Sequence, residues 1–301
     1  MRFKFRSESS PDWSADRTSS ISCGNDKNWG SSDGGKRAGE KPTTSRDVVV
    51  VGGGASGLSA AVFLARYGLD TLVIDGGSAA IRQCVHLENY LGFPGGIPPE
   101  TFLALSKEQA EFAGAEITDG LVVAAEKTDD GFRVATKDGR EVEANRLIAA
   151  SVYDDEYLSS FEAELENVEP DGKTAISGLY VTGWLGEAEH QAIVSAGNGA
   201  RTALALVRDV RKEDEGLWED VADHYYDWTV EEGRYSGTNW EWLDEFVAEN
   251  VPEDATLEDE KRTKERLKRE YVALELDDAE RAKRAERGRV LVRKHVEEIE
   301  P

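Results

Sequence analysis

The sequence predicts an α/β domain, a parallel sheet flanked by helices with a small antiparallel meander, followed by an acidic and mainly helical extension. Three observations carry that expectation. A valine-rich run, a glycine cluster, an amphipathic stretch and a second apolar run follow one another in the order strand, turn, helix, strand. Between residues 121 and 143, short β-prone runs are punctuated by Asp-Gly turns. After Val210, apolar periodicity gives way to dense charge.

In chain order, residues 47–51 are a short run of valines after Asp47, ending at Gly52, as expected for a buried parallel strand. Residues 56–67 place Leu58, Ala61, Val62 and Ala65 on one helical face, and Gly68 supplies the stop. Residues 69–74 form the next strand, giving a β–α–β unit whose short connections favour a right-handed crossover. A second helix spans 100–113. Short strands at 121–126, 131–136 and 140–143 are separated by Asp129-Asp130-Gly131 and Asp138-Gly139, which suit hairpins. Residues 146–150 and 179–182 return as apolar strands, and 192–210 close the domain as a helix with alanine and valine on its buried side.

Composition divides the 301 residues into three parts. Residues 1–46 lack apolar periodicity, hold nine basic against six acidic residues, and read as a disordered leader, or as the product of a start codon assigned too early. Residues 47–210 carry 26 acidic and 11 basic side chains, and residues 211–301 carry 28 and 16. The last forty-five or so read as one long charged helix, with i,i+4 pairs such as Glu260 with Lys264 and Glu265 with Arg269. Trp218, Trp228, Trp240 and Trp242, with Tyr225, Tyr226 and Tyr235, are expected to dock that extension on the central domain; a lid or a partner surface is the alternative.

The net charge of −24 repels phosphate backbones and argues against a nucleic-acid or anionic-membrane partner. With only fourteen lysines it suggests a salt-adapted, haloarchaeal type of cytoplasmic protein, since molar salt screens the self-repulsion over a few ångströms; an acidic mesophile protein is the alternative. Cys23 and Cys84 lie too far apart to suggest a disulfide framework or a metal knuckle. No apolar run reaches the length of a membrane span or a signal peptide.

Val51-Gly52-Gly53-Gly54-Ala55-Ser56-Gly57 contains G-x-G-x-x-G between an expected strand and an expected helix. Asp75 stands at the end of the next strand, which completes the context of a Rossmann-like dinucleotide site. Gly52 permits the tight turn, Gly54 lets backbone approach a pyrophosphate, and Gly57 lets helix and strand pack closely. The diphosphate would meet the positive helix end at Ala55 and Ser56, and Asp75 would accept from the adenosine ribose. A glycine-rich turn without a ligand is the alternative.

Val85-His86-Leu87-Glu88-Asn89-Tyr90-Leu91-Gly92-Phe93-Pro94-Gly95 looks like the V-E-N-x-x-G-x-P segment of the thioredoxin reductase family. Gln109-Ala110-Glu111-Phe112-Ala113-Gly114-Ala115-Glu116 is similar to its Q-A-x-x-F-G-A-E helix. Gly178-Leu179-Tyr180-Val181-Thr182-Gly183, followed by His190-Gln191-Ala192 and Ala196-Gly197-Asn198-Gly199, resembles its last flavin-binding strand and helix. The resemblance covers about residues 46–208 and implies FAD as the cofactor, with Gly183 in the last flavin-binding turn. It places Asn89, His190, Gln191 and Ala192 beside the isoalloxazine, where a helix N-terminus suits the anion formed at the N1–C2=O edge on reduction.

The chain departs from that pattern in three places. Only 27 residues, 152–178, stand where the family inserts an NADPH-binding domain, and no C-x-x-C is present. Gly183-Trp184 replaces the Gly-Asp pair whose acid binds the ribityl chain, and His190 replaces the arginine of R-Q-A. The expectation is an FAD-dependent oxidoreductase reduced to its FAD domain, without dithiol exchange. It would exchange electrons with NAD(P)H as external reductant or with a small-molecule or protein redox partner; homodimerisation is left open. Cys84, His86 and His190 are the candidate reactive residues, with a packed cysteine and hydrogen-bonded structural histidines as the alternatives. Two rival readings are a non-enzymatic dinucleotide-binding sensor and an NAD-binding, thiazole-synthase-like enzyme.

Overall fold

Alternation along β1 (Ser45–Val51) sets the layers of the molecule: Val48 and Val50 face one core and Val49 and Val51 the other, none more than 5% exposed. A strand covered on both faces needs apolar side chains at every position, which the valine run supplies. The computed structural model describes residues 45–153, 155–162, 165 and 167–296, so the expected leader lies outside the described residues apart from Ser45 and Arg46. Those two already pair with Glu143 and Ala144 as the first residues of β1.

The sheet has the order β3-β2-β1-β6-β5-β4, built from β2 (Thr71–Asp75), β3 (Glu116–Asp119), β4 (Val122–Thr128), β5 (Gly131–Thr136) and β6 (Glu141–Ala149), with β7 (Leu179–Val181) also beside β6. The pairs β1–β2, β1–β6, β2–β3 and β6–β7 are parallel, and β4–β5–β6 form the antiparallel meander. The two strands expected at 140–143 and 146–150 are one. Asn145 does not break the strand, because β6 pairs with β5 through residues 141–144 and with β7 through 147–149. The meander is thus continuous with the parallel sheet. β3 went unforeseen because its four residues, Glu116-Ile117-Thr118-Asp119, are mostly polar and lie at the sheet edge, where no burial pattern marks them.

Helices α1 (Ala55–Tyr67), α2 (Pro99–Ala113) and α3 (Ala192–Glu213) cover the face carrying Val48 and Val50, through Leu58, Ala61 and Leu64, through Leu103 and Ala110, and through Ala203, Leu206 and Val207. Gly68 ends α1 at φ 101°, a left-handed conformation open to glycine at little steric cost. The opposite face is closed by a 3-10 turn at Glu156–Phe161, within the short 152–178 connection. It buries Tyr157, Leu158 and Phe161, the last edge-on to Phe132 with ring centroids 6.2 Å apart. Phe161→Ala is expected to lower unfolding stability by about 3–5 kcal/mol, the usual cost of deleting a buried phenyl ring. Urea denaturation measures it, and a loss below about 1 kcal/mol would detach this connection from the core.

The extension builds its own apolar cluster from Leu217, Val221, Leu243, Val247, Leu267 and Tyr271. These residues lie on α4 (Glu219–Asp223), α5 (Glu241–Glu249) and α6 (Leu257–Val272) or on the turn before α4. Arg66 clamps Asp227 at 2.6–3.0 Å, the Tyr67 hydroxyl donates to Glu215 at 2.7 Å, and Tyr225 packs edge-on to Tyr67. Lys294 and His295 of α7 (Asp278–Val296) reach Glu108 on α2.

The single long helix expected at the end is two. Between α6 and α7, β9 (Glu275–Leu276) pairs with β8 (Val230–Glu231). The Glu275 carboxylate accepts from the N–H groups of Gly233, Tyr235 and Ser236 at 3.0, 2.5 and 2.7 Å. These long-range bonds outweigh the local helical charge pairs, which are individually small. Among the described residues no helix is long and apolar enough to cross a membrane.

Candidate functional site

The ends of β1, β2 and β6 and the starts of α1 and α3 surround a cavity of ≈ 580 Å³. Its wall contains Gly52, Gly54, Ala55, Ser56, Asp75, Asn89, His190, Gln191 and Ala192, together with Cys84 and His86. Residues drawn from four separate stretches of sequence are therefore brought together. Gly57 and Gly183 stand behind the wall and shape it. A Cβ on Gly57 would lie 2.0 Å from Gly52 O, and one on Gly183 (φ +68°) would lie 2.5 Å from Ser56 Oγ. Asn198 Oδ1 accepts from Gly183 N–H at 2.6 Å and from Thr182 Oγ1 at 2.9 Å, fixing that turn.

The glycines of the β1–α1 turn have different causes. Gly52 adopts φ +124° and lies so close to Ala150 that a Cβ would meet its carbonyl oxygen at 2.6 Å. Gly53, whose role the motif alone does not reveal, has no room because a Cβ would come within 2.3 Å of Asp75 Cγ. Gly54 is constrained by neither: its φ is −88°, and the nearest atom to a Cβ would be Ala79 Cβ at 3.9 Å. Nothing within the protein requires glycine there, whereas a ligand drawn against the backbone would. The donors fit as well. α1 begins without a capping side chain or an acidic residue in its first turn. Its leading N–H groups and positive end therefore face the cavity free to bind an anion.

α3 points a second uncapped N-terminus at the same space, again without an acidic residue in its first turn. At that end Asn89 Nδ2 donates to Gln191 Oε1 at 2.7 Å across 102 residues of sequence. Trp184 stands edge-on to His190 with centroids 4.8 Å apart. Above the middle of the wall, Gln83 Nε2 donates to the Tyr153 hydroxyl at 2.6 Å, a link the sequence did not signal. His86 Nε2 lies 3.0 Å from Gly95 O and ties its own loop together, a structural engagement for one of the candidate reactive residues. Cys84 is exposed at the rim; Cys23 lies outside the described residues.

At the opposite end Asp75 is 4% exposed. Gly77 N–H donates to its Oδ1 at 2.9 Å, and Lys107 Nζ lies 2.6 Å from its Oδ2. Burial opposes ionisation, but Lys107, Gly77 and the charge of Arg82 outweigh it and hold the carboxyl below the usual range. Lys107 is the site residue most fully missed by motif reading. Its signal is a lysine on the apolar stripe of an amphipathic helix.

Comparison with known proteins follows the same geometry. Residues 46–151 match the pyridine nucleotide-disulphide oxidoreductase family. A thioredoxin reductase of Aquifex aeolicus is 37% identical over 114 residues, 37% of this chain and 35% of that protein. A ferredoxin–NADP reductase of Ignicoccus hospitalis is 37% identical over 112 residues, 35% of this chain and 36% of its own length. The chain thus spans about a third of the curated relatives it matches. The solved thioredoxin reductase of Gloeobacter violaceus superposes with a TM-score of 0.51 at 15% identity, covering 62% of this chain and 100% of that one. That likeness is one of fold: a parallel-dominated Rossmann-like sheet flanked by helices. Over about residues 46–151 the chain is thioredoxin reductase-like.

Proposed function

We propose that the cavity holds FAD and that the protein is a thioredoxin reductase-like oxidoreductase reduced to its flavin-binding part. Electrons would pass between the flavin and an external nicotinamide nucleotide or redox partner. The observation that carries this reading is Gly54, a glycine unexplained by its own backbone or neighbours, at one of two uncapped helix N-termini that share a single cavity. When bound, FAD supplies the two-electron and one-electron chemistry that no side chain here provides.

The residues then take distinct tasks. The α1 N-terminus binds the diphosphate through backbone N–H groups, and Asp75 receives the adenosine ribose. Asn89, Gln191 and Ala192 border the ring, and the α3 N-terminus favours negative charge at its pyrimidine edge. Trp184 offers no acceptor to the ribityl hydroxyls. Losing such a bond costs about 1.5–3 kcal/mol, which the remaining contacts must absorb. Cys84 is the sole cysteine among the described residues, and dithiol exchange is left out of the scheme.

The strongly acidic composition supports a salt-adapted cytoplasmic setting and a partner other than nucleic acid or an anionic membrane. Protein purified in molar KCl is expected to be yellow, to carry one FAD per chain, and to bleach with NADH or NADPH. A flavin that neither nucleotide bleaches would favour a redox partner as donor. Protein that emerges colourless and takes up no added FAD would overturn the assignment.

A further inference from the structure

α2 turns Phe102, Leu103 and Ala110 into the core. Lys107 follows Leu103 by four and precedes Ala110 by three, so a lysine occupies the helix's apolar stripe. A cation in that position is unfavourable unless paired. Its partner is Asp75, in the cavity wall, with Lys107 Nζ 2.6 Å from Oδ2. Gly77 N–H occupies Oδ1 at 2.9 Å, so each carboxylate oxygen already has one donor and keeps further acceptor capacity. The carboxylate also lies flat against Gly53, where a Cβ would meet Oδ2 at 2.5 Å. Asp75 also lines the cavity, so its remaining acceptor capacity is available to a ligand there.

We propose that Lys107 is a positioning and specificity residue for the adenosine ribose, fixing the Asp75 carboxylate so that its free lone pairs meet the two vicinal hydroxyls. The inference rests on the FAD reading and names the group that determines how the adenosine end is read. Because Lys107 is outside the cavity wall, it acts through Asp75 and does not itself touch the nucleotide.

The test is calorimetric titration of the full chain, freed of bound FAD, with ADP and with 2′,3′-dideoxy-ADP in one high-salt buffer. The wild-type protein is expected to prefer ADP by about 10- to 100-fold, the range for hydrogen bonds to a charged acceptor. Lys107→Met should reduce that preference to less than about 3-fold while leaving dideoxy-ADP affinity unchanged, and Lys107→Arg should restore most of it. Asp75→Asn should abolish the preference, with Lys107→Met adding nothing further in the double variant. Equal weakening of both nucleotides by Lys107→Met, or an undiminished preference, would overturn the inference and leave the FAD reading standing. Wild-type protein that binds neither ADP nor FAD would overturn both. Lys107→Gln, which keeps a polar side chain, replaces the methionine variant where that one does not fold.

Discussion

Gly54→Leu is expected to lower FAD affinity by more than about 100-fold and leave the folded core intact. The two halves of that expectation come from different physics. The native φ of −88° and ψ of −173° at Gly54 are open to any L residue, and a Cβ there meets nothing nearer than 3.9 Å. An unfavourable helix N-cap costs about 1 kcal/mol, while removing a glycine from the unfolded ensemble returns about 0.4–1 kcal/mol. Equilibrium denaturation without added nucleotide should therefore fall within about 1 kcal/mol of wild type. The leucine side chain, however, would project into the cavity that Gly54 lines, where a bound diphosphate is proposed to meet the N–H groups of α1. Gly57→Ala is the contrasting control: its Cβ would collide with Gly52 O at 2.0 Å, so stability and binding should fall together. A Gly54→Leu protein that retains flavin at one per chain would displace the diphosphate from this turn.

Much of the Rossmann-like domain was legible because its constraints are local. The valines of β1, the turn glycines and the amphipathic period of α1 are each a response to burial or backbone geometry within a dozen residues. Asn89 and Gln191 were placed by family resemblance, and their mutual hydrogen bond spans a separation at which periodicity carries no information. What escaped was set by partners distant in sequence. Gly53 reads as a spacer until Asp75 is folded against it. Lys107 reads as an oddity on α2 until its partner is known. The unbroken β6 is dictated by pairing to β1 from Glu143 to Ala149, which overrides the impression of two short strands. At the end of the chain, uniform charge suggested uniform helix. The break at Glu275 comes from a pocket of backbone N–H groups some forty residues earlier, to which helix propensity is blind.

Arg211→Ala is expected to destabilise the protein by about 3–5 kcal/mol, the cost of opening a buried ion pair from one side. Arg211 is fully buried at the end of α3, although its guanidinium is charged. Its Nε donates to Ala222 O at 3.0 Å, its terminal nitrogens donate to Glu270 at 3.2 and 3.0 Å, and the group lies 5.2 Å from the centre of the Tyr225 ring. Burial works against the charge, but Glu270 outweighs it and raises the guanidinium pKa further. One side chain thus joins the end of the Rossmann-like domain to α4, to α6 and to the loop carrying Tyr225. Glu270 keeps a second partner in Arg266 at 2.8 Å and is partly solvated, which places the expected loss toward the lower end of the range. A paired Arg211→Met, Glu270→Met variant should recover most of the stability, since apolar side chains of similar size remove the desolvation penalty of both charges. The comparison belongs in molar KCl, where exposed pairs such as Arg133 with Glu143 are screened and a buried pair is much less so. If Arg211→Ala unfolds within about 1 kcal/mol of wild type under those conditions, the extension is held to the domain by contacts such as Arg66 with Asp227 and Tyr67 with Glu215 and Tyr225 rather than by Arg211.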